Sequence, residues 1–197
     1  MFTGIIREIG TVISLQRANG LVRLTIQAPG LAARVQPLES VAVNGVCLSV
    51  VEVRRPRMTF EVIRETQRLT ALGSLRSTSQ VNLEPSLSLT DRLNGHLVFG
   101  HIDGMGAVVA RRQAAGELVL TIRTERPLRK FLVPKGPVTI DGVSLTVGSA
   151  PGPTTFTVHL IPETLRRTTL RERAVGDRVN LEVDYLAKLV EQFVNSR

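Results

Sequence analysis

Apolar and polar residues alternate along most of this chain in short runs. Leu21–Val22–Arg23–Leu24–Thr25–Ile26, Thr59–Phe60–Glu61–Val62–Ile63, Leu118–Val119–Leu120–Thr121–Ile122 and Thr155–Phe156–Thr157–Val158–His159–Leu160 all have the period-two pattern of half-buried strands. Gly, Pro or charged turns separate them. Short helices are expected near Leu31–Val35 and Leu128–Leu132. Many short strands with few helical stretches predict small β-barrels rather than an α/β or helical protein. The pattern changes at the end of the chain. After Asp184, a reasonable N-cap, Leu186, Leu189, Val190, Phe193 and Val194 fall on one stripe of an amphipathic helix. That stripe has two possible destinations: its own chain, or the same helix of other subunits.

Nearly all of this is written twice. Asn44-Gly45-Val46-Cys47-Leu48-Ser49-Val50 returns as Asp141-Gly142-Val143-Ser144-Leu145-Thr146-Val147. The stretch from Ile63-Arg64-Glu65-Thr66 to Thr70-Ala71-Leu72 returns between Ile161-Pro162-Glu163-Thr164 and Thr168-Thr169-Leu170, and Val81-Asn82-Leu83-Glu84 returns as Val179-Asn180-Leu181-Glu182. A fixed offset marks two in-register copies of one unit. The expected architecture is all-β: two tandem homologous six-stranded Greek-key barrels, 1–95 and 96–184, then a C-terminal helix over 185–197. The boundary falls in the polar stretch Ser86–Gly95. The copies differ in chemistry. The first holds the only cysteine, Cys47, and the second holds His101 and Lys135.

Composition narrows the class. Of 197 residues, 43% are hydrophobic but only 4% aromatic, so the cores must be mostly aliphatic. A single cysteine excludes an internal disulfide framework and suits a reducing compartment. The start Met1-Phe2-Thr3-Gly4-Ile5-Ile6 lacks the features of a signal peptide, and no apolar run approaches a membrane span. A cytoplasmic location is expected, with no membrane partner. The net charge of +8 comes mostly from scattered arginines, and few aromatics are available to stack on bases, so no nucleic-acid partner is expected.

Strand parity sharpens the duplicated Gly-Val-Cys/Ser-Leu-Ser/Thr motif. Val46, Leu48 and Val50 share one face, which leaves Cys47 and Ser49 on the other; Ser144 and Thr146 are likewise opposed to Val143, Leu145 and Val147. An aliphatic barrel keeps its branched residues inside, so the thiol and hydroxyls should face outward. Cys47 is then either a half-buried structural thiol or part of a pocket that another surface closes. Read as one strand, Gly95–His101 sends His96 and His101 to opposite faces, and no metal site is expected. His101 is either a structural imidazole or a reactive one, and Gly100 and Gly104 beside it suggest a close backbone approach. The Glu65/Thr66/Thr70 and Glu163/Thr164/Thr168 segments either cap turns or offer hydrogen bonds to a polar heterocycle. P-loop, nucleophile-elbow and zinc motifs are missing.

Taken together, Met1-Phe2-Thr3-Gly4-Ile5, Ser40–Leu48, Gly95-His96 with Gly100-His101-Ile102-Asp103-Gly104, Ile140–Val147, Leu160–Leu170 and Val179–Asp184 resemble the riboflavin synthase family over almost the whole chain. The resemblance implies a dismutation of two 6,7-dimethyl-8-ribityllumazine molecules. A four-carbon unit passes from one to the other, giving riboflavin and 5-amino-6-ribitylamino-2,4-pyrimidinedione, without a cofactor. It also implies a homotrimer joined by the terminal helix, with each working site between barrels of neighbouring subunits, and lumazine synthase as a further possible partner.

By the same resemblance, His101 is the general acid/base for the C7-methyl proton. Ser40, Cys47 and Ser49 line the first lumazine site, Cys47 adding to the ring or polarising it. Asp184 steers a proton or holds a ribityl chain or a histidine. Lys135, Ser144, Thr146 and Ile161 hold the second lumazine; which barrel binds the donor stays open. Substrate contacts are further expected from Gly4, Ile5, Ile6, Leu48, Glu61, Val62, Ile63, Arg64, Glu65, Thr66, Gly100, Ile102, Leu145, Pro162, Glu163, Thr164, Leu165 and Arg166. The rival reading on the same fold is a non-catalytic lumazine- or flavin-binding antenna protein.

Overall fold

The structure, a computed structural model, describes every residue except Ala115, Pro151, Ser196 and Arg197. The last two belong to the expected helical tail and lie outside the described residues. The first half folds as β1 (Glu8–Ala18), β2 (Leu21–Gln27), α1 (Pro29–Ala32), β3 (Ser40–Val43), β4 (Val46–Arg54), β5 (Arg57–Ile63), α2 (Arg64–Leu69) and β6 (Gln80–Pro85). These strands close into an antiparallel barrel in the order β1-β2-β5-β4-β3-β6. The second half repeats the plan with β7 (Gly104–Ala114), β8 (Glu117–Arg123), α3 (Arg126–Arg129), β9 (Pro137–Ile140), β10 (Val143–Thr146), β11 (Thr155–Leu160), α4 (Pro162–Arg167) and β12 (Arg178–Val183), followed by α5 (Tyr185–Asn195). Its strand order is the same, but the β10/β11 seam is held only by the Val147–Val158 bridge and hydrogen bonds just beyond it.

Local chemistry explains the elements. Asn44-Gly45 and Asp141-Gly142 both take left-handed φ, +45° and +78° in one copy and +47° and +77° in the other. That is the type I′ geometry that joins twisted antiparallel strands in two residues. A β-bulge recurs at Val12/Ser14 in β1 and at Val108/Ala110 in β7, where it adds the bend a small barrel requires. The two short helices form near the expected stretches and begin two residues earlier. Pro29 and Pro127 stand in the first turn of α1 and α3, where a missing N–H costs nothing.

Each barrel has its own aliphatic core. Val46, Leu48 and Val50 point into the first, and Val143, Leu145 and Val147 into the second. The barrels meet through the duplicated Val-Asn-Leu-Glu strands. Asn82 Nδ2 donates to the Asp141 carbonyl at 2.9 Å and Asn180 Nδ2 to the Asn44 carbonyl at 2.8 Å. In return Asn82 Oδ1 accepts from the Thr169 N–H at 2.8 Å and Asn180 Oδ1 from the Ala71 N–H at 2.7 Å. Gly45 and Gly142 lie back to back, and a Cβ on either would come within 2.7 Å of the other's nitrogen. An approximate two-fold relation therefore runs between the copies.

Helix α5 leaves most of its apolar stripe accessible to solvent, with Leu189 half-buried. Leu186, Val190, Phe193 and Val194 are all more than half exposed. No described helix is long and apolar enough to cross a membrane.

Candidate functional site

On the outer face of the first barrel, Ser40 pairs with Ser49 and Ala42 with Cys47 across β3 and β4. Cys47 is half-buried and Ser49 exposed, opposite the core residues of the same strand. On the second barrel the equivalent pairs are Thr139 with Ser144 and Pro137 with Thr146. Each polar strip is covered by a segment from the other copy, which sequence reasoning did not anticipate.

The N-terminal segment crosses to the second barrel. The Ser144 N–H donates to the Gly4 carbonyl at 2.8 Å, and Ile6 is buried in the second core. The segment preceding β7 crosses the other way. The Cys47 N–H donates to the Gly100 carbonyl at 2.9 Å, and Ile102 packs on the first core. Both glycines have left-handed φ, +77° and +75°, and a Cβ would fall 2.6 Å from Ser144 Cβ or 2.7 Å from Cys47 Cβ. Only glycine fits such an approach. The two segments also pair with each other, the Phe2 N–H donating to the Val98 carbonyl at 2.7 Å. His101 belongs to the second copy in sequence and to the first barrel in space.

Two buried carboxylates hold these crossings. Glu84 accepts from the N–H groups of Thr3 (2.8 Å) and Gly4 (2.9 Å) and from the Thr3 hydroxyl (2.7 Å). Glu182 accepts from the N–H groups of Phe99 (2.7 Å) and Gly100 (2.9 Å). Burial raises the pKa of Glu84 and pushes Glu182 up to about 6, where the nearby Asp103 adds to the rise. Their signal, the repeated Glu ending Val-Asn-Leu-Glu, was visible in the sequence without its meaning.

The strand reading of Gly95–His101 does not hold. Within this stretch Val98 makes a single isolated bridge, with Phe2, and the His96 N–H reaches the Thr3 carbonyl at 3.2 Å, because the chain leaves one barrel for the other. His96 therefore stays with the second barrel, its Nδ1 2.8 Å from Ser144 Oγ, while His101 is exposed beside the first. Burial lowers the His96 pKa and the Asp184 carboxylate opposes that shift. Asp184 also caps α5 by accepting from the Leu186 N–H at 3.1 Å.

Beside Ser144 lies a cleft of about 150 Å³, lined by the crossing residues Gly4, Ile5 and Ile6 and by Val143, Ser144, Ile161, Glu163, Thr164, Arg167 and Thr168. Glu163 pairs with both Arg166 and Arg167, which lowers its pKa, Arg167 first. Pro162 opens α4 and Leu165 packs on the second core. Lys135 is exposed in a left-handed turn, its N–H bonded to the Val147 carbonyl at 2.8 Å. In the first barrel Ile63, Arg64 and Glu65 are exposed at the start of α2, with Thr66 half-buried behind them.

Several expected contacts sit differently. The side chains of Leu48, Val62 and Leu145 lie in the cores, because strand parity sends them inward; they can offer a ligand only backbone. The Val62 carbonyl already accepts from Gln67 Nε2 at 2.9 Å. Glu61 is taken by Arg23 on the neighbouring strand at 3.4 Å. The turn-forming role belongs to Thr70 and Thr168, whose hydroxyls donate to the Thr66 and Thr164 carbonyls at 2.6 and 2.7 Å. Among the described residues, no group of three or more His, Cys, Asp or Glu side chains could hold a metal ion.

Comparison with known proteins agrees with this duplicated architecture. A family model for the lumazine binding domain matches residues 3–86 and again 99–184. The chain is 44% identical to the riboflavin synthase of Mycobacterium tuberculosis (strain H37Rv), covering 100% of this chain and 99% of that protein. It is 36% identical to the riboflavin synthase of Bacillus subtilis (strain 168), covering 99% of this chain and 90% of that protein. Among solved structures, LumP complexed with riboflavin superposes with a TM-score of 0.87 at 22% identity, over 93% of this chain and 100% of that one. LumP complexed with 6,7-dimethyl-8-(1'-D-ribityl) lumazine gives a TM-score of 0.84, also at 22% identity, over 93% of this chain and 99% of that one. At that identity the likeness concerns the fold alone. The chain belongs to the riboflavin synthase family and carries the lumazine-binding domain twice.

Proposed function

We propose that this protein is a riboflavin synthase, converting two 6,7-dimethyl-8-ribityllumazine molecules into riboflavin and 5-amino-6-ribitylamino-2,4(1H,3H)-pyrimidinedione. One observation supports this above the others: a single chain carries two equivalent crossed sites, each built from both copies yet differing in chemistry. A reaction that consumes two molecules of one substrate in different roles fits that arrangement. The substrate supplies its own electrophile and its own acidic methyl group, so the protein has to orient the rings, exclude water and move protons.

His101 is the group proposed to take and return the C7-methyl proton of a lumazine held on Ser40, Cys47 and Ser49. Imidazole suits this role because its ring nitrogens can both accept and donate a proton. The hydroxyls of Ser144 and Thr146 and the exposed backbone around Ile161–Thr164 would hold the second lumazine, and Lys135 would stabilise negative charge on it. His96 would orient Ser144 in that site, with Asp184 behind it.

The cleft on one chain, about 150 Å³, is smaller than the ~300 Å³ or more of ordinary small-molecule sites. A second subunit closing the cleft fits that deficit, as does the exposed stripe of α5. We therefore read the working form as a homotrimer of lumazine-binding units 1–95 and 96–184 joined through the terminal helix. Lumazine synthase is a plausible neighbour as the source of the substrate. A cytoplasmic location is the reading that a single cysteine suits.

The decisive experiment incubates the purified protein anaerobically with 6,7-dimethyl-8-ribityllumazine and no cofactor, and follows riboflavin absorbance. Equimolar riboflavin and pyrimidinedione are expected. Fluorescent binding without turnover would leave the antenna reading standing, and neither binding nor turnover would refute both.

A further inference from the structure

The segment that carries His101 lies in no regular strand. Its place on the first barrel rests on a few contacts. The Gly100 carbonyl accepts from the Cys47 N–H, the Phe99 ring packs 4.7 Å from Tyr185, and the Phe99 and Gly100 N–H groups point at the Glu182 carboxylate. Glu182 is 3% exposed and comes from the last strand of the second barrel. It is the one buried charged group among the contacts to the backbone immediately before His101.

The first copy provides a comparison. Glu84 holds the equivalent crossing with three donors, because Thr3 adds its hydroxyl to the two N–H groups. Phe99 occupies the position of Thr3, so Glu182 has two donors only. A two-oxygen carboxylate matched to two consecutive N–H groups is a bidentate, charge-assisted clamp. A neutral amide of the same shape presents one acceptor and one donor, so one N–H would face another N–H.

We infer that Glu182 is a positioning residue for the first-barrel site: its carboxylate pins the Phe99–Gly100 backbone against β4 and so sets where the His101 imidazole stands relative to a ligand on Cys47. The inference rests on the proposed acid/base role of His101. The chain contains its own reporter. Cys47 is the sole cysteine, half-buried beneath Gly100 and packed with Phe2, Ala42 and Val98. Any lifting of the segment exposes that thiol.

The test compares the wild-type chain with Glu182→Gln in two measurements. Iodoacetamide labelling of Cys47 in the ligand-free protein should become at least fivefold faster. The kcat for riboflavin formation should fall at least tenfold while KM stays within twofold, and the melting temperature should change by no more than a few degrees. Glu84→Gln frees the other crossing, which reaches Cys47 only through Phe2, and should raise the labelling rate by less than Glu182→Gln does. Gly100→Ala reaches the same segment without touching the carboxylate, since its Cβ would meet Cys47 at 2.7 Å. It should reproduce faster labelling and lower kcat should Glu182→Gln fail to fold. Unchanged labelling in Glu182→Gln would overturn the inference whatever happens to kcat. Faster labelling with unchanged kcat would overturn it as well, while wild-type turnover would still support the proposed reaction.

Discussion

His101 is exposed, and its ring is 6.3 Å from that of Phe99, so its freedom is set by the backbone that precedes it. If it moves the methyl proton, His101→Ala should lower kcat about 100-fold or more. Fluorescence titration should find lumazine affinity changed by less than about threefold; equal losses in turnover and affinity would argue for a binding role instead. Glu182 carries a pH prediction of defined sign. Its folded pKa, raised to about 6, exceeds the ordinary 4.5. The folded chain therefore holds this proton more tightly, so the stability contributed is complete below about 4.5 and is lost as the pH rises through 6. Charged groups nearby are Asp103 and Lys188, paired with each other at 2.8 Å. The stability of wild-type relative to Glu182→Gln should decline by roughly 2 kcal/mol between pH 4.5 and 7, read from urea melts at each pH. A difference that grows with pH would contradict the burial argument. Of these residues, Cys47, Ser49, Ser144 and Thr146 were legible from strand parity alone. Glu182 was not, because a glutamate in an alternating pattern gives no sign that its partners are backbone groups from the other barrel.

At the scale of elements, period-two alternation marked the strands well, and the short helices start within two residues of the expected stretches. Residues such as Leu31 and Leu132 are apolar because they plug the barrel ends, whether helical or not. Helix α5 followed its pattern. Its first turns are tied down, with Tyr185 against Phe99, Lys188 on Asp103 and Glu191 paired with Lys130. Its outer stripe has no such cover from its own chain, and Leu186, Val190 and Val194 are 57%, 62% and 68% exposed. Charges placed there should break a helix-mediated assembly and spare the tethered end. If the helix joins the proposed trimer, Val190→Asp with Val194→Asp should give monomers in light scattering, with the barrels still folded by circular dichroism. A double variant that stays trimeric would remove the helix from the interface.

Across the whole molecule, the approximate two-fold relation is broken, among other places, at a buried turn position. Asp141 stands where the first copy has Asn44. It is fully buried, and Arg173 reaches it at 2.7 Å from the position equivalent to Leu75. Burial raises the Asp141 pKa while Arg173 opposes the rise. Removing the arginine alone strands a buried carboxylate, so Arg173→Leu should cost about 3 kcal/mol in chemical denaturation. Asp141→Asn with Arg173→Leu restores the first copy's own pair and should recover most of that loss; a double variant as unstable as the single would show that the pair cannot be exchanged as a unit. The sequence by itself determined the duplication, the barrel class, the inward and outward faces of the strands and the amphipathic tail. Each of these is local, set by side-chain periodicity and turn chemistry within a few residues. Only the tertiary structure decided that the segments ahead of β1 and β7 change places, so that Gly4 meets Ser144 and Gly100 meets Cys47. The physical reason is that such a crossing is specified by a left-handed glycine, two backbone N–H groups and a carboxylate some eighty residues away, and hydrogen bonds to backbone leave no trace in the residues that donate them.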